Sequence, residues 1–259
     1  MPNSHVYFFS GTGNTLVLAR AYAETLIARG CQVELVDVTA YAGGKPTELL
    51  SIFFPVYCFG APRIVNKFVE QLPKGEGRRA AVFANAAGMA GPAPAMVAEA
   101  LSSKGYRVVA SDWILMPSNY ILGREAVVPS EAESQIAEGC SRARELALAV
   151  ANGTAVPRKM SKWYLLRLAY SGFQKGLLHV HKFYRATEKC TGCGVCEDLC
   201  PVKVITMQNE RPRWHKGCEH CMRCVNLCPA AAIEVGRLTV GKRRYDYWRG
   251  SLVQDLPLL

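Results

Sequence analysis

His5-Val6-Tyr7-Phe8-Phe9 runs into Ser10-Gly11-Thr12-Gly13-Asn14-Thr15 and then into Leu16–Ala28, a stretch of good helix formers closed by Gly30. An apolar run of strand length, a glycine- and hydroxyl-rich turn and a helix with a glycine C-cap make one strand–loop–helix unit. Outward from it the alternation continues. Gln32–Val36 and Leu50–Val56 read as the second and third strands, the latter apolar almost throughout, as a strand covered on both faces should be. Pro62 stands where a helix begins, ahead of Ile64, Val65, Phe68, Val69 and Leu72 at helical spacing. Arg79–Ala84 reads as a fourth strand, Ala93–Leu101 as a helix, Tyr106–Leu115 as a fifth strand and Glu131–Ala151 as a long closing helix. Five strands with intervening helices predict an α/β fold with a five-stranded, parallel, doubly wound sheet. Ligands bind such sheets outside the carboxyl ends of the strands.

The Ser10–Thr15 loop lies at such an end. Hydroxyls and backbone N–H groups at a helix N-terminus suit a phosphate monoester, and the glycines permit the turn and the close approach. No lysine follows in the Walker fashion, which disfavours nucleotide hydrolysis. The loop is not G-x-G-x-x-G either, so dinucleotide binding fits poorly.

Eight of the eleven cysteines fall in two copies of C-x2-C-x2-C-x3-C-P: Cys190, Cys193, Cys196, Cys200-Pro201 and Cys218, Cys221, Cys224, Cys228-Pro229. A cubane needs four converging thiolates, and a tight C-x2-C-x2-C turn supplies three of them. Zinc is the competing reading. Against it stand the fourth cysteine–proline of each run and the internal repeat from Cys190 to Cys218. Small residues beside the ligands (Gly192, Gly194, Ala230, Ala231) leave room for clusters. Residues 188–236 resemble bacterial two-cluster ferredoxins. That resemblance implies two [4Fe–4S] clusters with crossed ligands: Cys190, Cys193, Cys196 and Cys228 on one, Cys218, Cys221, Cys224 and Cys200 on the other.

Phe8–Thr15 in turn resembles the FMN-phosphate loop of flavodoxins. The whole chain is similar to the flavodoxin–ferredoxin fusion family: a flavodoxin-like domain over 1–152, a connector over 153–186 and a small α+β ferredoxin-like domain over 187–259. The resemblance implies FMN, with Ser10, Gly11, Thr12, Gly13, Asn14 and Thr15 around its phosphate. Two loops would border the ring: Pro55-Val56-Tyr57-Cys58-Phe59-Gly60, where Tyr57 or Phe59 either stacks or belongs to the core, and Asn85-Ala86-Ala87-Gly88. Flavodoxins commonly carry an aromatic in the second loop. This chain has small residues and Met89 there, which implies a more open flavin face. Asn119-Tyr120 lies on the same edge. Cys31, Cys58 and Cys140 read as small buried hydrophobes, and no Ser-His-Asp context is present.

The net charge of +10 is unevenly spread. Residues 1–150 carry 13 basic and 13 acidic side chains, whereas 151–186 carry seven basic residues (Arg158, Lys159, Lys162, Arg167, Lys175, Lys182, Arg185) and no acid. Ligating thiolates and a flavin phosphate would offset much of the excess, so a nucleic-acid partner is not expected. In the connector Trp163, Leu166, Tyr170, Phe173, Leu177 and Val180 form one apolar helical stripe. It reads as a packed helix with a solvated basic flank; contact of 158–185 with an anionic membrane or an acidic redox partner is the alternative. No apolar stretch is long enough to span a membrane. The start of the chain lacks a signal-peptide layout, and so many cysteines in an unsignalled chain point to a reducing, cytoplasmic setting. The expected function is electron transfer between FMN, the clusters and an external partner, either a redox protein or a small organic acceptor. The alternative is an FMN-dependent reductase of a bound quinone- or enone-class substrate.

Overall fold

A computed structural model describes residues 3–43, 47–154, 156 and 164–247. They divide into two compact units. The first holds the chain up to Ser10, Asn14–Met116 and Glu133–Ser171; the second holds Gly11–Gly13, Pro117–Ala132 and Gly172 onward.

In the first unit, β1 (Asn3–Phe8), β2 (Gln32–Asp37), β3 (Leu49–Pro55), β4 (Arg79–Ala86) and β5 (Arg107–Leu115) form one sheet in the order β2-β1-β3-β4-β5. Every pairing is parallel. That order is the flavodoxin-like one, with its switch point between β1 and β3. The sheet is covered on both faces by α1 (Asn14–Ala28), α2 (Arg63–Gln71), α3 (Ala93–Ser103) and α4 (Pro129–Ala151).

Strand register explains the layering. Phe53 and Phe83 are paired neighbours, so they point to the same face. There they meet Tyr22 of α1, with ring centroids 5.1 and 5.3 Å away. Tyr7, next along β1, faces the opposite way and packs against Phe68 of α2 at 4.7 Å. Each of these aromatics is buried, and each contributes about 1.5–3 kcal/mol by leaving water. In α4 the buried Ile136, Cys140, Ala143, Ala147 and Val150 recur at three- and four-residue steps. At Gly139 an added Cβ would lie 2.5 Å from the Met116 sulfur, so Met116 would have to shift to admit a side chain.

Part of the connector stripe forms α5 (Tyr164–Gly176), with Tyr170 buried and Leu166 and Phe173 half-buried; the helix ends at Gly176, so the buried Leu177 and the half-buried Val180 lie beyond it. Trp163 and the basic residues Arg158, Lys159 and Lys162 lie outside the described residues. Farther along, β6 (Tyr184–Ala186) pairs antiparallel with β9 (Ile233–Val235), and β7 (Ile205–Gln208) with β8 (Arg211–Trp214). The short helices α6 (Val195–Asp198) and α7 (Arg223–Leu227) each carry the third cysteine of a run. This is a small α+β ferredoxin-like arrangement. Among the described residues no helix is long and apolar enough to cross a membrane.

Candidate functional site

The Ser10–Thr15 loop leaves β1 at the switch point and enters α1, as its sequence requires. Ser10, Thr12, Asn14 and Thr15 are buried, Gly13 has φ +113°, and the first turn of α1 carries no acidic side chain. Hydroxyls, an amide and a helix N-terminus without a carboxylate form a donor set that fits a phosphate dianion. The Thr15 hydroxyl donates to the Asn85 side-chain oxygen at 2.7 Å, which joins the loop to the end of β4.

The loop after β3 is unusually shaped. Tyr57 and Gly60 exchange backbone hydrogen bonds of 2.9 and 3.1 Å. Between them Cys58 and Phe59 have φ of +47° and +68°, the signature of a type I′ turn made without glycine at its centre. Such positions cost of order 1–3 kcal/mol each and persist where surroundings impose them. Here α5 does so. The Cys58 thiol donates to Ala169 O at 3.8 Å, and burial pushes that thiol up. Phe59 packs against Gly91, where an added Cβ would sit 3.2 Å from it and 3.1 Å from Leu166. Pro55 pairs with Asn85 across the sheet, and Val56 donates its N–H to Asn85 O at 2.9 Å. Tyr57 and Phe59 are both half-buried. Ala86 is half-buried, whereas Ala87, Gly88 and Met89 are exposed, so no bulky side chain covers the loop after β4. Cys140 is buried, whereas Cys31 and Cys58 are half-buried rather than buried.

In the second unit, Asn119 Nδ2 donates to the Thr12 hydroxyl at 3.0 Å. Three residues of the second cysteine run also reach these loops. Arg223 Nε donates to Gly11 O at 2.8 Å, Asn226 Nδ2 donates to Asn119 O at 2.9 Å, and the Tyr120 hydroxyl lies 3.4 Å from His220 Nε2. The other ring nitrogen of His220 is 2.7 Å from the Tyr184 hydroxyl, and burial pushes this imidazole down to about 4. Sequence reasoning missed Arg223, His220 and Asn226. Their signal was nevertheless readable, because aligning the two runs sets His220, Met222 and Arg223 against Gly192, Gly194 and Val195.

The 28-residue repeat is reproduced in the backbone. Val204 N–H donates to Cys200 Sγ at 3.4 Å and Ala232 N–H to Cys228 Sγ at 3.3 Å. Thr187 N–H donates to Ala232 O and His215 N–H to Val204 O, both at 2.8 Å. Left-handed backbone recurs at Gly192 and His220, Gly194 and Met222, and Lys203 and Ala231. The two runs are thus the halves of one pseudo-twofold unit.

The cysteines group across the runs. Cys200 is among the neighbours acting electrostatically on Cys218, Cys221 and Cys224, while Cys228 and Cys193 act on Cys196. Without the charge of a metal, burial pushes Cys196 and Cys218 up to about 11 and Cys221 to about 12, with neighbouring thiols adding to each. Burial and the adjacent cysteines also raise Cys224, against the Trp214 indole N–H, which favours its thiolate. Thiols so placed give up their protons to a strongly binding cation. Among the described residues no group of three or more His, Cys, Asp or Glu side chains is drawn together closely enough to hold a metal ion.

The cysteine-rich segment is similar to known iron–sulfur proteins. The family model of the 4Fe–4S dicluster domain matches residues 189–232. A ferredoxin of Methanothermococcus thermolithotrophicus is 38% identical over 52 residues, 18% of this chain and 87% of that protein. An uncharacterised ferredoxin of Methanocaldococcus jannaschii is 37% identical over 51 residues, 18% of this chain and 66% of that one. Among solved structures, a flavodoxin from the domain Archaea superposes with TM-score 0.45 at 17% identity, covering 59% of this chain and 98% of its own. The two-electron-reduced flavodoxin of Megasphaera elsdenii gives 0.39 at 19%, covering 54% and 98%. The chain belongs to the ferredoxin family through its cysteine-rich segment, which follows a parallel sheet of flavodoxin-like strand order. Its role is redox chemistry by an iron–sulfur domain joined to a flavodoxin-like one.

Proposed function

We propose that the protein passes electrons between one FMN, two [4Fe–4S] clusters and an external partner. The observation that carries this reading is the coexistence of two C-x2-C-x2-C-x3-C-P runs with matching backbone hydrogen bonds and a buried, acid-free phosphate loop at the sheet's switch point. When bound, FMN supplies two-electron storage with one-electron release, and the clusters supply one-electron exchange. The protein residues bind and tune. Ser10, Thr12, Asn14 and Thr15 hold the phosphate, with Gly11 and Gly13 allowing its approach. The amides of Tyr57–Gly60 and the Asn85–Gly88 loop border the ring. Crossed sets of Cys190, Cys193, Cys196, Cys228 and of Cys218, Cys221, Cys224, Cys200 hold the clusters. Backbone N–H groups directed at Cys200, Cys218 and Cys228 stabilise the thiolates and raise cluster potentials. Replacing Cys196 and Cys224 together should abolish cluster absorbance and leave FMN bound; retention of all iron would overturn the ligand assignment.

A second reading is an FMN-dependent reductase of a quinone- or enone-class substrate. The exposed Ala87–Met89 loop favours it, since a bare flavin face leaves room for a substrate. Saturable turnover of a defined acceptor with ternary-complex kinetics supports the enzyme. Indiscriminate one-electron reduction of acceptors supports the carrier. A third question is where the protein works. Tyr164, Leu165 and Leu168 are exposed on α5 in a segment rich in Lys and Arg, a combination that suits an anionic lipid surface.

A further inference from the structure

Within the second unit each residue of one cysteine half has a counterpart 28 positions away in the other. Thr187 and His215 are such a pair, since their N–H groups make the equivalent bonds to Ala232 O and Val204 O, both at 2.8 Å. By the same step Trp214 corresponds to Ala186 and Tyr184 to Pro212. Tyr184 and Trp214 stack on one another, with ring centroids 5.7 Å apart and planes 28° from parallel. Each turns a polar hydrogen toward a thiol of the second run. Tyr184 is buried, and its hydroxyl is a hydrogen-bond partner of Cys218. Burial first, and then the neighbouring cysteines, raise this hydroxyl well above its ordinary range, so it keeps its proton. The Trp214 indole nitrogen is buried and has no partner of ordinary hydrogen-bond geometry; the group its N–H acts on is Cys224. In the other half Ala186 and Pro212 have no side-chain hydrogen to offer, and the hydrogen bonds that reach Cys196 come from the backbone.

The direction of the bonds around Tyr184 follows from the chemistry of the groups. A ligating thiolate only accepts, and its charge makes it a stronger acceptor than the Met222 thioether, 3.8 Å from the same hydroxyl. The Tyr184 oxygen then accepts from His220 Nδ1, 2.7 Å away. A neutral imidazole that donates through Nδ1 accepts through Nε2, and the Tyr120 hydroxyl stands 3.4 Å from that atom.

We infer that Tyr184 and Trp214 tune the cluster held by Cys218, Cys221, Cys224 and Cys200, raising its potential by donating hydrogen bonds to the Cys218 and Cys224 sulfurs. This rests on the reading that two clusters are bound. Reduction adds one electron to a cluster, taken from the reductant, and no bond forms or breaks. A donor at a ligand sulfur stabilises the more negative, reduced state more than the oxidised one. Burial acts the opposite way, because low-dielectric surroundings disfavour added charge. Cys200, Cys218 and Cys221 are buried, whereas Cys193 is exposed and Cys190, Cys196 and Cys228 are half-buried. The two donors therefore stand where burial makes reduction hardest, and they offset it.

The test uses the full-length protein, loaded anaerobically, with Trp214→Phe and Tyr184→Phe each keeping an aromatic ring and removing one donor. A redox titration followed by EPR reads the two cluster midpoints. Each variant should lower one midpoint by about tenfold in the reduction equilibrium, about 59 mV for one electron, with the other midpoint and the iron content unchanged. The double variant should move the same midpoint further. Unmoved midpoints, or equal shifts of both, overturn the inference. Because a variant can lose iron, a second measurement uses the unaltered protein with heavy nitrogen in its indole rings. Pulsed EPR of the reduced form should show a nitrogen coupling to a cluster spin, and its absence overturns the role of Trp214. If the unaltered protein gives no [4Fe–4S] signal, the cluster reading itself fails; clusters present with unmoved midpoints overturn the tuning alone.

Discussion

The ring of Tyr170 in α5 occupies the space that a Cβ would take at Gly60. Its hydroxyl donates to Ala61 O and accepts from Asn66 Nδ2 at 2.7 Å. One side chain therefore holds the turn Tyr57–Gly60 in its strained shape. Gly60→Ala should displace the ring and lower stability by about 1–3 kcal/mol, as overpacking does. Tyr170→Phe keeps the ring but leaves Ala61 O and the Asn66 amide to find other partners, at a cost of about 1–3 kcal/mol. Chemical denaturation measures both. A Gly60→Ala protein as stable as the parent would contradict the packing described.

The bond from Thr15 to Asn85 ties the phosphate loop to the end of β4. Thr15→Val preserves shape and removes the donor, so it should weaken FMN binding about tenfold, equivalent to roughly 1.4 kcal/mol. Equilibrium titration of the flavin-free protein with FMN checks this. Unchanged affinity would show that Thr15 packs without contributing to the loop.

Arg244 and Glu234 form a buried ion pair at 2.6 Å, each less than a tenth exposed. Thr239 also donates to Glu234. Arg244→Ala leaves a buried carboxylate without its counter-charge and should cost about 3–5 kcal/mol. The loss should appear as a lower unfolding midpoint of the iron–sulfur part, with the flavodoxin-like part unchanged.

If α5 serves a lipid surface, flotation with vesicles containing phosphatidylserine should recover the protein, and replacing Leu165 and Leu168 by Ser should abolish recovery. Neutral vesicles should not bind it. Equal recovery with both vesicle types would remove the electrostatic part of this proposal.

The parts of the fold legible in sequence were those governed by short-range rules. β3 reads as seven consecutive buried residues, and the strand–loop–helix around Ser10–Thr15 carries its own turn chemistry. The α5 stripe of Leu166, Tyr170 and Phe173 was visible from spacing alone. The cysteine repeat also foretold the backbone symmetry. What was not legible depends on contacts distant in sequence. Nothing near Gly11 announces that Arg223 donates to its carbonyl, and nothing near Asn119 announces Asn226. The type I′ turn at Cys58-Phe59 was hidden as well, because neither residue favours a positive φ and the packing of Tyr170 imposes it. His220, Met222 and Arg223 could have been noticed by comparing the second run with the first; their purpose required the structure.

The central claim is that eight of these cysteines hold two cubanes and that the chain also binds one flavin. Anaerobic purification followed by iron, acid-labile sulfide and flavin quantitation tests it most directly. The account predicts about eight irons, about eight sulfides and one FMN per chain. Zinc in place of iron, or half the iron with no flavin, would contradict it.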